Sequence, residues 1–308
     1  MTSTLSDGAA LTFTETVTTT GRRPRTSAGR ATILSRGGAL VGLVVLTLVT
    51  AFPVVVVTLA AFSPEAEVNS WPPALVPSTF TLENFADLSS RIPVLQQSWN
   101  SLVFSGAVTL CSLAFNALAA YALARMEFRG RTALFTVLVA TMMIPFQALL
   151  VPIYQLVADL GWVNSFLGLV VPRAADVAGI FLLRQFFITL PRDLDSAARL
   201  DGAGEFRIFW QVGLRLLGPG LVTVFLFTLV ATWNNYFLPL IMLNSSDLYP
   251  ITVGLAQLQA AASQGGGSQA LFSTVITGSL VSIVPLVLAF LFLQRYWQSG
   301  LATGSVKE

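Results

Sequence analysis

Long runs of apolar residues without a single charge dominate the chain. A helix needs about 20 such residues to cross the hydrocarbon layer of a bilayer. The runs that are long enough are Ala39–Phe62, Ile92–Ala124, Thr132–Ala158, Leu216–Ser246 and Leu248–Gln294. The last run contains the polar stretch Ser263–Gln269, so its helix is expected to begin near Ala270. The pattern therefore predicts one membrane-spanning helix in each of these runs.

A further apolar segment, Phe166–Leu190, is interrupted by Arg173, Asp176 and Arg184. Hydropathy alone does not decide whether this segment crosses the membrane. The distribution of basic residues favours a membrane span here, because Arg and Lys concentrate in cytoplasmic loops. With six spans and both termini inside, all of the 17 basic residues except Arg91 and Arg173 lie on the cytoplasmic side. With five spans, the basic residues before Leu216 and those at the C-terminus would lie on opposite sides of the membrane, so only one of the two groups could be cytoplasmic. We therefore predict an all-α membrane protein with six transmembrane helices.

The N-terminal segment, residues 1–36, is rich in Thr, Ser, Gly and Arg and shows almost no apolar periodicity. Such a composition predicts a disordered basic tail on the cytoplasmic side, followed by a transmembrane domain over residues 37–308. A cleaved signal peptide is the alternative. It fits poorly, because the basic stretch is long and the apolar run after it spans a full bilayer.

Prolines lie within several of the predicted spans. Each removes a backbone hydrogen bond and predicts a kink, which serves either packing geometry or a hinge in a protein that changes shape. They are Pro53, Pro145, Pro152, Pro239 and Pro285.

Composition agrees with the membrane prediction and excludes several function classes. Hydrophobic residues make up 54% of the chain and charged residues 10%, with a mean hydropathy of +0.74, whereas soluble domains carry about 25% charged residues. There is no histidine, so we expect no histidine metal site and no histidine general base. The net charge of +2 gives no reason to expect a nucleic acid partner, and Cys111, the single cysteine, is expected to be a packing residue.

The longest predicted cytoplasmic loop, Pro191–Pro219, is amphipathic and does not resemble a linker. A helix is predicted over Asp193–Leu200, with Asp195 and Arg199 spaced to form an ion pair. Glycines end that helix, and a second apolar helical stretch begins at Glu205. On physical grounds this hairpin either fits a groove on a soluble partner or lies on the membrane surface, and the two alternatives are equally supported.

The same loop resembles the EAA loop of binding-protein-dependent ABC importer permeases. In that family this loop contacts the ATPase, so residues 191–219 are identified by resemblance as an ATPase-coupling loop. The sequence departs from the family pattern at two places: Ser196 stands where the family has glutamate, and Leu214-Arg215 replaces a Leu-Pro pair. The usual ion pair of that glutamate therefore does not carry over. The coupling residues implied by the resemblance are Asp193, Ser196, Ala197, Ala198, Asp201, Gly202 and Ala203.

Other segments extend the resemblance to about residues 38–308. It is most specific for the second permease subunit of the maltose-permease-like carbohydrate branch. The resemblance implies a type I ABC importer permease fold in a bacterial plasma membrane. The matching segments are Asn100–Arg131, Met142–Pro172, Phe181–Pro191, Trp233–Leu240 and Gln294–Glu308.

The resemblance implies import of a sugar, expected to be a di- or oligosaccharide, by alternating access between two states. The implied partners are a second homologous permease subunit, two ATP-binding cassette subunits, an extracytoplasmic solute-binding protein and the lipid bilayer. ATP and Mg²⁺ are expected on the ATPase subunits, because this chain lacks the phosphate-binding pattern G-x-x-x-x-G-K-[ST]. The chain itself is expected to be a transport subunit without enzyme activity or cofactor.

Polar residues inside the spans are candidates for the substrate pathway, because they are costly in a membrane unless they pair or line a cavity. Arg173 and Asp176 could instead pair with each other, and the asparagines could form hydrogen bonds between helices. The candidates are Arg173, Asp176, Asn234, Asn235 and Gln147, with Asn116 as a weaker one.

Two other function classes were weighed against the importer. An ion-coupled secondary transporter would need an acidic residue within the membrane, and only Asp176 could serve; it would also often contain an inverted repeat, which the sequence does not show. An intramembrane enzyme would need a nucleophile with a base, or metal ligands, and the absence of histidine removes most such designs.

Overall fold

The fold, taken from a computed structural model, is helical throughout the part of the chain that the structure describes, residues 28–70, 72, 74–264 and 268–304. The predicted tail falls largely outside this part, over residues 1–27, and the first helix begins within the remainder of the tail, at Ala28. The helices are α1 (Ala28–Ala61), α2 (Glu65–Val68), α3 (Glu83–Arg91), α4 (Val94–Arg125), α5 (Arg131–Thr141), α6 (Leu150–Asp159), α7 (Phe166–Val170), α8 (Val177–Thr189), α9 (Asp193–Leu200), α10 (Glu205–Ile208), α11 (Leu214–Leu216), α12 (Gly218–Trp233), α13 (Phe237–Met242), α14 (Ile251–Gln264) and α15 (Ser268–Gly304).

Unbroken helices long and apolar enough to cross a membrane are Gly38–Ala61 within α1, Val94–Arg125 and Leu271–Tyr296 within α15. Three further spans are bent pairs of shorter helices. If each bent pair is one span, the described residues hold six spans, in agreement with the predicted number. The all-α membrane fold is thereby confirmed, and three of its spans are bent pairs of shorter helices.

The break in the third span lies at Pro145, between α5 and the 3₁₀ turn Phe146–Leu149 that leads into α6, and the two arms bend by 94°. The sequence predicted a span over Thr132–Ala158 with a kink at Pro145, and the structure shows a complete break there. Proline lacks an N–H for the helical ladder and forces the residue before it out of the helical region. Pro145 itself is extended, with φ −64° and ψ 130°.

The fourth span bends by 42° between Arg173 and Val177. Asp176 is extended at this break, and its Oδ1 accepts a hydrogen bond from the backbone N of Gly179 at 2.7 Å. An aspartate in this position satisfies one of the free N–H groups at the start of a helix. The charges that weakened this span in the sequence therefore mark the place where its helix restarts.

The fifth predicted span, Leu216–Ser246, is divided once, where α12 ends at Trp233 before α13 resumes at Phe237. At its start, a bend of 80° separates α12 from the helical segment Glu205–Leu216, which belongs to the predicted cytoplasmic loop. Pro239 lies in the first turn of α13 and Pro152 in that of α6, where a helix needs no N–H from them. Pro53 and Pro285, by contrast, lie inside the continuous helices α1 and α15.

The chain divides into two compact units, Met1–Pro53 and Val54–Glu308. In the first unit, the described side chains from Gly38 onward are exposed, as expected for apolar residues whose solvent is lipid. The second unit holds the packed core. At one end of the bundle α4, α8 and α12 share a cluster that includes Tyr121, Phe187 and Val224, and a second cluster forms around Phe104. These three helices provide the frame for the sites below.

Candidate functional site

The predicted coupling helix is present as α9 and ends at a tight turn. Its last residues lead into Asp201 and Gly202, whose φ of +78° lies in the left-handed region. Side chains other than glycine adopt this region at a cost of about 1 kcal/mol or more. No atom lies within 4 Å of a Cβ added there, so the backbone conformation, not crowding, favours glycine at this turn.

A buried ion pair fixes α9 to the end of α4. Arg125 Nη1 lies 3.3 Å from Asp195 Oδ2, and the two side chains are only 3% and 9% exposed. Arg125 Nη2 also donates a hydrogen bond to the carbonyl of Leu190 at 2.8 Å. Removal of one buried partner would leave an uncompensated charge, which is strongly destabilising. The base of the coupling loop is therefore attached rigidly to α4, a helix of 32 residues.

A second ion pair closes the turn between α9 and α10. Arg199 Nε lies 2.8 Å from Glu205 Oε1, and the Tyr121 hydroxyl donates to Glu205 Oε2 at 3.1 Å. The hydrogen bond to the Glu205 carboxylate raises the pKa of Arg199. The predicted ion pair between Asp195 and Arg199 was wrong, because Asp195 faces Arg125 on α4 and Arg199 reaches forward to Glu205.

The predicted coupling residues divide between an exposed face and a packed face. Ala198 and Ala203 are half-buried against the core cluster of α4, α8 and α12. Two large apolar side chains, Leu200 and Phe206, project from the same tip with exposed fractions of 90% and 71%. The exposed predicted residues are Asp193, Ser196, Ala197, Asp201 and Gly202. The loop thus presents a small mixed polar and apolar surface away from the bundle.

A polar cavity of about 470 Å³ lies beside this surface, at the family's glutamate position. It is lined by Ser196 together with charged residues of α4, α9 and α10, among them Arg125, Arg192 and Glu205. The Ser196 hydroxyl makes only a local hydrogen bond, to the carbonyl of Arg192 at 3.3 Å. Serine therefore leaves open a space that a longer acidic side chain would enter.

Arg173 and Asp176 line one cavity of about 750 Å³, between the third span, the fourth span and α12. They do not form the ion pair that their spacing allowed. The Arg173 guanidinium lies over the ring of Phe146, 5.2 Å from its centroid. Hydroxyls of Thr141 and Thr228 are the other polar side chains of a lining that is otherwise mostly apolar.

Asp176 is held by a buried polar network with α4. Its Oδ2 accepts hydrogen bonds from Ser112 Oγ and Asn116 Nδ2, each at 2.8 Å. Its backbone N donates to Asn116 Oδ1 at 3.0 Å. A Cβ at Gly179 would collide with the Asn116 amide, so glycine permits this close approach. Asp176 and Asn116 therefore join α8 to α4 inside the membrane.

The other pathway candidates lie apart from this cavity. Asn234 lines a second open cavity of about 690 Å³ between α12, α14 and α15. Asn235 instead accepts a hydrogen bond from the backbone N of Leu238 at 3.1 Å, at the start of α13. Gln147 is exposed on the 3₁₀ turn after Pro145 and lines neither cavity. The structure thus unites two of the five candidates and separates the rest.

Sequence reasoning missed several residues of these sites. Tyr121 and Arg125 are four apart on α4, and a charge at the end of a long apolar run was the available signal for the second. Tyr236 and Gln259 join Asn234 in its cavity, and no local pattern distinguished them.

Comparison with known proteins gives a consistent family. The model of the family described as binding-protein-dependent transport system inner membrane component matches residues 113–301. The arabinooligosaccharides transport system permease protein AraQ of Halalkalibacterium halodurans is 34% identical over 271 residues, which cover 87% of this chain and 95% of that protein. The sn-glycerol-3-phosphate transport system permease protein UgpE of Yersinia enterocolitica is 29% identical over 265 residues, 84% of this chain and 93% of the relative.

The fold has a counterpart among solved structures. A chain in the crystal structure of a bacterial ABC transporter involved in the import of the acidic polysaccharide alginate superposes with a TM-score of 0.73 and 22% sequence identity. The match covers 90% of this chain and 100% of that chain. With the family match and the AraQ relative, these findings identify the chain as a multi-pass membrane permease of the binding-protein-dependent transport system inner membrane component family, the membrane-spanning subunits of ABC importers.

Proposed function

We propose that this chain imports a di- or oligosaccharide as one of two homologous permease subunits, driven by two ATP-binding cassette subunits that bind the coupling loop. The named relatives that carry arabinooligosaccharides support a sugar substrate. An extracytoplasmic solute-binding protein delivers the sugar, and both termini of the chain lie in the cytoplasm of a bacterium. ATP and Mg²⁺ bind to the ATPase subunits, and this chain needs no cofactor and performs no hydrolysis.

The observation that carries the proposal is the buried attachment of α9 to α4. The Arg125–Asp195 ion pair fixes the loop at its base, while Leu200 and Phe206 stand exposed at its tip. A rigid base with an exposed apolar tip suits insertion of a helix into a groove on a partner. It also lets a displacement of the tip move α4, so ATP-driven closure of the ATPase pair can alter the membrane cavities.

The coupling assignment is tested with Gly202→Asp in the complete reconstituted complex. The substitution adds strain and a charge at the tip of the loop, and we expect normal insertion with loss of sugar-stimulated ATP hydrolysis. Gly130→Asp is the matched control, because Gly130 also has positive φ, +85°, and open space around it, but lies in the loop before α5. Normal sugar-stimulated ATPase activity in the Gly202 variant would refute the assignment.

The alternative of ion coupling depends on Asp176. Its carboxylate accepts hydrogen bonds from two side chains and one backbone N–H, an arrangement that suits a fixed helix cap. The network gives a sufficient structural reason for an acidic residue at this place, and the ATP-driven importer is therefore the better supported function.

A further inference from the structure

Arg173 is a cation within a membrane-spanning segment that forms no direct ion pair with the described residues, although Asp176 attracts it electrostatically. Its guanidinium carries five N–H donors. No hydrogen bond or ion pair connects it to any residue of the described ranges, and its one specific contact is the face of Phe146. A charge in this position is costly unless it is paired or faces a water-filled cavity. Arg173 is half-buried and lines a cavity of about 750 Å³.

Asp176 lines the same cavity and attracts Arg173 electrostatically, but it forms no hydrogen bond with the guanidinium. Its oxygens are already engaged by Ser112, Asn116 and Gly179, and the network holds the carboxylate against α4. The arginine is thus left facing the cavity, with its side chain oriented by the aromatic ring beneath it. Preorganised in this way, a guanidinium is suited to bind a carboxylate or a phosphate through two parallel hydrogen bonds.

The rest of the cavity suits a sugar. Phe146 and Phe227 supply aromatic surface, and the hydroxyls of Thr141 and Thr228 supply hydrogen-bonding groups. A volume of about 750 Å³ lies within the range of small-ligand sites, about 300–1,000 Å³. Apolar walls with few polar groups weaken the screening of the guanidinium charge, so the interaction with an anion is stronger than at an exposed surface.

We infer that the cavity lined by Arg173 selects saccharides that carry an anionic group, a uronate carboxylate or a phosphate ester, over their neutral counterparts. The inference rests on the proposed import function and specifies its substrate class. The anion of the passing substrate neutralises Arg173 transiently, while Phe146 and the threonines contact the sugar itself.

The test uses the complete complex, with its solute-binding protein, in proteoliposomes loaded with ATP. The external solution holds a partial hydrolysate of plant cell-wall polysaccharides, containing neutral arabino- and xylo-oligosaccharides and their uronate-bearing counterparts, together with glucose and glucose 6-phosphate. Mass spectrometry of the lumen gives the ratio of acidic to neutral sugars. We expect at least a tenfold enrichment of the anionic species over the external mixture, carried by the uronates or by the phosphate ester.

Variants at Arg173 assign that selectivity to this residue. Arg173→Gln should reduce the enrichment by about tenfold or more, as expected for loss of a hydrogen bond to a charged group, and Arg173→Lys should retain part of it. Arg184→Gln is the matched control: it removes another arginine of the same span, one that does not line the cavity, and should leave the ratio of acidic to neutral sugars unchanged.

Three outcomes would overturn the inference. They are accumulation of neutral sugars without enrichment, uptake of neither class, and an enrichment that Arg173→Gln leaves intact. Loss of co-purification between the two permease subunits in Arg173→Gln, with the ratio unchanged, would assign Arg173 to pairing with a neighbouring polypeptide instead. ATP-dependent import of neutral sugars alone would refute the substrate class and leave the importer function standing, whereas absence of ATP dependence would refute that function.

Discussion

Arg125 and Asp195 lie far apart in the sequence, yet they form the most deeply buried ion pair among the described residues. Local spacing instead suggested that Asp195 pairs with Arg199, one helical turn away. The tertiary arrangement prevails, because Asp195 faces the end of α4 and Arg199 finds Glu205 across the turn. Pairing over long distances depends on how helices dock. A single sequence does not contain that information in its periodicity.

The first prediction concerns this ion pair. Asp195→Ala should lower the free energy of unfolding by about 3–5 kcal/mol, since it leaves the buried guanidinium of Arg125 without its anionic partner. The double variant Arg125→Met with Asp195→Leu should regain most of that loss, because neither charge remains. Equilibrium unfolding of the purified protein in detergent measures both.

The control for this prediction is Arg192→Gln. Arg192 lies 3.9 Å from Glu127 with both side chains largely exposed, and such surface pairs contribute at most about 1 kcal/mol. If Asp195→Ala proves as mild as Arg192→Gln, the ion pair does not hold α9 in place.

At the scale of whole elements, the apolar runs predicted where the spans lie but not where they break. Asp176 and Pro145 were both visible in the sequence. However, a proline in a membrane helix can cause either a slight kink or a complete break. Pro285 leaves α15 continuous, whereas Pro145 coincides with a bend of 94°. Packing around each proline decides between these results. The residues just before Pro145 are exposed, so few side-chain contacts oppose a change in the bend on that side.

A second prediction follows for Pro145→Ala. Restoring the N–H should allow α5 and α6 to align, which lengthens the distance between spin labels at Thr132 and Asp159 by about 10 Å or more at the helical rise of about 1.5 Å per residue. Pulsed electron resonance on the labelled complex measures that distance. Pro152→Ala is the control and should change nothing, because Pro152 lies in the first turn of α6. An unchanged distance in the Pro145 variant would show that neighbouring helices, and not the proline, maintain the bend.

At the scale of the whole molecule, the distribution of charge predicted more than hydropathy did. The basic residues favoured a sixth span where Arg173 and Asp176 made it doubtful, and the structure has a bent pair of helices there. The cavities, in contrast, arise from helices far apart in the sequence. Of the five candidates, only Arg173 and Asp176 line the same cavity.

The orientation in the membrane gives a third prediction. In a Cys111→Ala background, Ser90→Cys in α3 should react with a membrane-impermeant maleimide applied to intact cells, because we place the segment between α1 and α4 outside. Glu127→Cys, in the loop after α4, should react only after the membrane is opened. Both positions are exposed, so access and not burial controls the labelling. The reverse pattern would place the termini outside.

The unbroken length of α4 has a mechanical consequence. Its 32 residues form a rod of about 48 Å at the usual helical rise. Near one end, Asn100 donates hydrogen bonds to the carbonyls of Asp247 and Tyr249; in the middle Asn116 holds Asp176, and at the other end Arg125 holds α9. Because α4 is one continuous helix held by contacts at three positions, it cannot tilt at one of these positions without moving the other two. A force on the coupling loop is therefore transmitted through α4 to the wall of the cavity lined by Arg173 and Asp176 and to the opposite end of the bundle.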